Sequence, residues 1–220
     1  MGIFIQSRPV ELALSCLNQE GDDMWCARWV GRATGLTAGV AGFLIFVSNA
    51  SAAPGDELFK LTASDAAASD LFGRSVGISG NIAIVGADGD DDAGSGSGSA
   101  YLFDATTGNQ LLKLTASDAA ASDAFGRSVG ISGATAVVGA WDLSAPANLG
   151  SAYLFDVTTG NELFKLSSES VASDAFGWSV GISGNIAIVG AFQDNVNGSE
   201  SGAAYLFDAT TGNQLLKLTA

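Results

Sequence analysis

The chain has 220 residues, 47% of them hydrophobic and only 15% charged, with a formal net charge of −14. So acidic a balance repels phosphate backbones and argues against nucleic-acid binding. The sequence contains no His, which removes Ser-His-Asp catalysis and imidazole metal ligation, and its 29 glycines favour a small-residue β-protein over a helical bundle.

In chain order, the first feature is an address. Arg28 and Arg32 precede an apolar stretch over 36–47 (LTAGVAGFLIFV), followed by Ala50-Ser51-Ala52. A basic flank, a short apolar run and a small-x-small site make a secretory signal peptide, with cleavage expected between Ala52 and Ala53. The 12-residue apolar run is too short to cross about 30 Å of hydrocarbon as a helix. Residues 1–23 carry Glu11, Glu20, Asp22 and Asp23, out of place in a leader, whereas a start at Met24 gives a well-formed one. We therefore expect 1–23 to be a misassigned extension, 24–52 the signal peptide and 53–220 the exported protein. Cys16 and Cys26 both lie ahead of residue 53, leaving the rest without a disulfide, a thiol nucleophile or a Cys zinc site.

Beyond residue 53 one block is written three times. KLTASDAAASDLFGRSVGISGNIAIVGA from Lys60 returns from Lys113 with 24 of 28 positions identical, and more loosely from Lys165. Phe-Gly falls at Phe72-Gly73, Phe125-Gly126 and Phe176-Gly177, and YLFD begins at Tyr101, Tyr153 and Tyr205, spaced by 52. A fixed period of this size marks an array of small structural units, with boundaries near 60–112, 113–164 and 165–220.

Each unit holds four apolar runs bounded by turn residues; in the first they are 72–78, 82–87, 100–104 and 110–114. Ser79-Gly80-Asn81 predicts a tight hairpin, and 105–109 (ATTGN) a short turn. Four antiparallel strands per unit make one β-propeller blade, so the fold class is all-β with three blades. In the first run Phe72, Arg74, Val76 and Ile78 alternate with Gly73, Ser75, Gly77 and Ser79. A face of only Gly and Ser belongs where space is tightest, which makes this the innermost strand. The second run is apolar on both faces, as in a sheet sandwiched between neighbours. A further outer strand is expected at 58–61.

Phe-Gly opening one strand and Val-Gly-Ala closing the next resembles the FG-GAP repeat of integrin alpha-subunit propellers. The FGxSVxISG, GSGSAYLFD and KLTASD segments are closer still to a bacterial secreted variety of that repeat. The resemblance covers about 56–220 and implies a propeller, usually of about seven blades, used for extracellular binding and adhesion. The integrin-type repeat places a DxDxDG calcium loop between its first two strands. Here that link is only Ser79-Gly80-Asn81, so the family's calcium site is not carried over. Three blades fall short of the roughly four to eight of a closed propeller. The expectation is a segment of a longer array, or a chain that closes by self-association through its open blade faces.

Several motifs carry a chemical reading. Gly73-Arg74-Ser75-Val76-Gly77 and its two copies match G-x-S-x-G, but the hydrolase elbow needs a strand-turn-helix context and a His, so they are expected to be architecture. Asp88, Asp90, Asp91 and Asp92 form the densest acidic loop and offer hard oxygen ligands for calcium, without the spacing of a calcium loop. Asp70, Asp123 and Asp174, with Asp65 and Asp118, recur in the repeats and are expected to cap turn amides rather than act as paired carboxylates. Arg74, Arg127 and Trp178 share one repeat position, suited either to packing or to carboxylate and sugar recognition. The loops joining second and third strands vary most and carry Trp141 and Phe192, the default place for specificity on a repeated scaffold. The Gly-Ser run over 94–99 is flexible-loop composition.

The sequence therefore predicts a non-enzymatic scaffold, secreted or in the cell envelope, binding an extracellular protein or glycan. It assigns no catalytic residue, no metal ligand and no required cofactor, and no transmembrane span to 53–220. A carbohydrate-active or lectin-like module, and a purely structural segment of a larger envelope protein, are the other readings.

Overall fold

The computed structural model describes residues 55–141, 149–168 and 174–220. They form twelve strands: β1 Val76–Ser79, β2 Ile82–Ala87, β3 Ser99–Asp104, β4 Gln110–Leu114, β5 Phe125–Ser132, β6 Thr135–Ala140, β7 Ser151–Asp156, β8 Glu162–Leu166, β9 Phe176–Ser183, β10 Ile186–Ala191, β11 Ala203–Asp208 and β12 Gln214–Thr219. These make three separate four-stranded antiparallel meanders, β1–β4, β5–β8 and β9–β12, one blade per repeat. The leader and the extension ahead of it lie outside the described residues. Among the described residues no helix is long and apolar enough to cross a membrane.

Local chemistry sets the turns. β1 and β2 are joined through Gly80 (φ 57°) and Asn81, the positive-φ chemistry of a tight hairpin. Between β3 and β4, Asp104 Oδ1 accepts from the Thr106 amide at 2.7 Å, and the Gly108 amide closes on the Asp104 carbonyl at 2.8 Å. Asp156 and Asp208 repeat this Asx turn, and the hydroxyl and amide bonds hold all three carboxyls below their usual range.

Packing between blades supplies the core. Ile84, Leu102 and Leu114 of the first blade meet Phe125, Val138, Tyr153 and Phe155 of the second. Val137, Leu154 and Leu166 of the second meet Phe176, Val189, Tyr205 and Phe207 of the third. Each such side chain contributes about 1.5–3 kcal/mol by leaving water. The middle blade is covered on both faces, and Ala136, Val137, Val138 and Ala140 of its second strand are all buried. Of the innermost strands, β5 lies between β1 and β9. A β-carbon on Gly130 would meet the Gly181 Cα at 3.5 Å, so the glycine face of β5 packs directly on the backbone of β9.

Two expectations are corrected. β1 begins at Val76 rather than Phe72, whereas β5 and β9 do begin at their Phe. Phe125 and Phe176 are held by parallel bridges to Gly98 and Gly150 of the preceding blade, and no preceding blade stands before Phe72 among the described residues. The segment 58–61 is not a strand, although ELFKL at 57–61 repeats the sequence of β8. Among the described residues it has no third strand to pair with. It keeps the packing role alone: the Phe59 ring lies over Gly108 as Phe164 lies over Gly212.

Candidate functional site

Three arrangements join residues that the sequence keeps apart. The first is a clamp between blades. Gly126 has φ +87°, and its carbonyl accepts a 2.7 Å hydrogen bond from Ser75 Oγ of the blade before. The same carbonyl lies 2.0 Å from where a β-carbon on Gly86 would be, so the Gly of Val-Gly-Ala is a seat for the next blade's Phe-Gly. Ser128 Oγ and Gly177 repeat the bond at 2.9 Å. The G-x-S-x-G serines Ser75 and Ser128 thus lock blades together.

The second is a bulge that re-aims a side chain. Phe125 pairs with Ala140 and Ser128 with Gly139, so Gly126 and Arg127 are extruded from the ladder; Gly177 and Trp178 are extruded in the same way. The preceding residues Leu71, Ala124 and Ala175 all hold positive φ, at 56°, 50° and 53°. The extruded residue lands beside the first residue after Val-Gly-Ala. Arg74 Nε and Arg127 Nη1 approach Asp88 Oδ2 at 3.7 and 3.4 Å. The Arg127 guanidinium lies 4.3 Å from the Trp178 ring centre and 5.2 Å from that of Trp141. Trp141 and Trp178 meet edge-on with centroids 4.6 Å apart, and Trp178 meets Phe192 at 4.9 Å. One continuous row, Arg74–Asp88–Arg127–Trp141–Trp178–Phe192, crosses all three blades. Asp88 is buried, while Arg74 and Phe192 are exposed at the two ends. Asp88 Oδ1 and Trp141 Nε1 are buried with no hydrogen-bond partner among the described residues.

The third is a lysine-centred acidic cluster. One carboxylate oxygen each from Asp65, Asp90 and Asp92 lies within 4.8 Å of the others. Lys113 Nζ sits among them, 2.7 Å from Asp65 and 3.0 Å from Asp90, and also bonds Asp92. The Tyr101 hydroxyl donates to Asp90 at 2.8 Å. Lys113 beside Asp65 lowers that carboxyl's pKa. Burial pushes Asp90 the other way, but the Asp92 amide, Lys113 and Tyr101 outweigh it, so its pKa also falls. Lys165, Tyr153 and Asp118 form a smaller version in the second blade, and Lys217, Tyr205 and Asp194 in the third. Burial pushes the Tyr153 phenol up to about 12.

The FG-GAP repeat model matches residues 56–103, 109–155 and 166–207, more than half of the chain. The chain belongs to the FG-GAP repeat family. A search of curated proteins returned no match.

Within this FG-GAP array the acidic loop is divided, not pooled. Asp88 turns to the arginines, Asp91 accepts from the Gly96 amide at 2.7 Å, and Asp90 and Asp92 go to Lys113. The carboxylates that converge do so on an ammonium, which stands where a divalent ion would have to sit, so this loop does not fit calcium. Asp70 and Asp123 cap the amides of Ala67 and Ala120, as expected of them. Asp65 and Asp118 do not fit the capping expectation, since each takes a lysine from an outer strand. Asp174 accepts from the Phe176 amide and Ser168 Oγ, and burial raises its pKa. Sequence reasoning missed Lys113 and Tyr101; the signal was their recurrence once per repeat, in the KL of the fourth strand and the YLFD of the third.

Proposed function

We propose that this FG-GAP chain is a non-enzymatic scaffold, exported to the cell surface or medium, that binds a glycan or protein through the Arg74–Phe192 row. The observation that carries the reading is convergence. The positions after Phe-Gly (Arg74, Arg127, Trp178) and after Val-Gly-Ala (Asp88, Trp141, Phe192) are where the repeats differ most in chemistry, and they meet in one place. Aromatic faces beside a guanidinium and a carboxylate offer stacking surface with polar edges, the combination that suits a sugar ring or an aromatic-rich peptide. Export rests on the leader over 24–52, with cleavage between Ala52 and Ala53.

A glycan array probed with the chain, followed by affinity measurement on Trp178→Ala, tests this. Retention on a glycan that falls about tenfold or more in the variant supports the row as the site, a loss of about 1.4 kcal/mol. Undiminished binding by Trp178→Ala would remove the row from the reading. Hydrolysis of a bound glycan would overturn the non-enzymatic assignment.

A further inference from the structure

The interface between the first two blades is built from two surfaces, and the chain carries each of them a second time, uncovered. The surface offered by the first blade comes from β2–β4, and β10–β12 of the third repeat it: IAIVGA in β2 and β10, and AYLFDATTGNQLLKLT from Ala100 and from Ala204. The surface offered by the second blade includes FGRSVGIS in β5 and SAYLFD in β7. Both recur unchanged in the first blade, at 72–79 and in β3.

Where these surfaces meet they are dry; where they recur they are open. Val129 and Ile131 are 9% and 8% exposed, but their counterparts Val76 and Ile78 are 69% and 67% exposed. Ile84 and Leu114 are 0% and 1% exposed, but their counterparts Ile188 and Leu218 are 39% and 42%. The clamp is likewise half-built at both ends. Nothing lies within 4 Å of a β-carbon placed on Gly73, whereas one on Gly126 would meet the Ser99 carbonyl at 2.2 Å. The atoms nearest a β-carbon on Gly190 belong to Ser179 of its own blade, whereas one on Gly86 would meet the Gly126 carbonyl.

We propose that this chain associates head to tail with a second copy of itself. The third blade of one copy covers the first blade of the next in the manner of the contact between the first and second blades, with Ser179 Oγ donating to the Gly73 carbonyl. The occupant is a second copy because β10–β12, and 72–79 with β3, repeat the sequences of surfaces already in contact within the chain. Phe59 holds part of this seat, lying over Gly108 from a segment that is not a strand. In the assembled form Leu216, the counterpart of Leu112, takes its place and residues 57–61 move aside. The contact is heterologous, and the described blades of two copies number six, within the roughly four to eight at which propellers close.

Light scattering coupled to size exclusion tests the proposal on the chain as it exists. The wild type should show concentration-dependent association. Val76→Asp with Ile78→Asp, and separately Ile188→Asp with Leu218→Asp, place carboxylates on surfaces exposed in the monomer, and each pair should give monomer. Mixed one to one, the two double variants should recover a dimer, since each retains the surface the other lacks. Ser179→Trp, which fills the clamp seat at an exposed position, should also give monomer. A wild-type chain that stays monomeric at every soluble concentration overturns the assignment. Double variants that associate like the wild type, or whose mixture recovers nothing, overturn it as well.

Discussion

Ser75 Oγ donates a 2.7 Å hydrogen bond to the carbonyl of Gly126, 51 residues away and in the next blade. That bond joins the serine of an apparent hydrolase motif to the glycine of the next Phe-Gly, and explains why Phe-Gly, G-x-S-x-G and Val-Gly-Ala travel together through the sequence. They are three parts of one inter-blade joint.

The joint predicts opposite outcomes for two equivalent glycines. Gly126→Ala forces a β-carbon to 2.2 Å from the Ser99 carbonyl at φ +87°, and should cost about 3–5 kcal/mol from strain and overpacking together. Gly73→Ala has the same backbone demand in open space and should cost only about 1–2 kcal/mol. Chemical denaturation of both variants checks the difference; equal costs would show that the clamp is not the cause.

Lys113 and Lys165 occupy one repeat position but should not be equivalent. Lys113→Met leaves the buried Asp90 carboxylate without its cation and should cost about 2–4 kcal/mol. Lys165→Met breaks a pair that is roughly half-exposed on both sides and should cost less than about 1 kcal/mol. The pH dependence follows from the lowered pKa values of Asp65 and Asp90. Their stabilisation is complete above the ordinary value of 3.8 and is lost as pH falls through the lowered folded-state values. The gap between wild type and Lys113→Met should therefore be widest near neutral pH and close in acid, measurable from denaturation midpoints across pH.

Asp174 behaves in the reverse sense. Burial raises its pKa above 3.8, so the folded state favours the protonated acid and stability is lost as pH rises through the folded value. Asp174→Asn should stabilise the protein at neutral pH, and the gain should vanish below about pH 3.8. Thermal melts at pH 7 and pH 3 would show it; a variant less stable at neutral pH would contradict the sign.

Arg127 bridges the acidic and aromatic halves of the row. Arg127→Met removes the nearer charge from buried Asp88 and the cation that lies over Trp141 and Trp178. It should cost about 1–3 kcal/mol. The coupled indoles, 4.6 Å apart, should give a near-UV circular dichroism signal that changes in this variant and disappears in Trp178→Ala. A signal unchanged in both would show that the ring pair does not persist in solution.

What the sequence by itself determined is the local part of the molecule. Period-two alternation in SVGIS, the Gly80-Asn81 hairpin and the Asx turns after Asp104, Asp156 and Asp208 each depend on neighbours a few residues apart, and the threefold repetition extended them to three blades. It also marked Trp141, Trp178 and Phe192 as departures from the repeat. It misjudged 58–61, where strand-forming sequence is present but no pairing partner stands among the described residues, because a strand is a property of two segments. The tertiary structure alone decided which departures meet. Asp88 and Arg127 are 39 residues apart, and Lys113 reaches back 48 to Asp65. Such contacts arise from the packing of one sheet on the next and from a bulge that turns Arg127 and Trp178 out of their strands. That packing divided one acidic loop between a lysine and two arginines and gathered six scattered side chains into a single row.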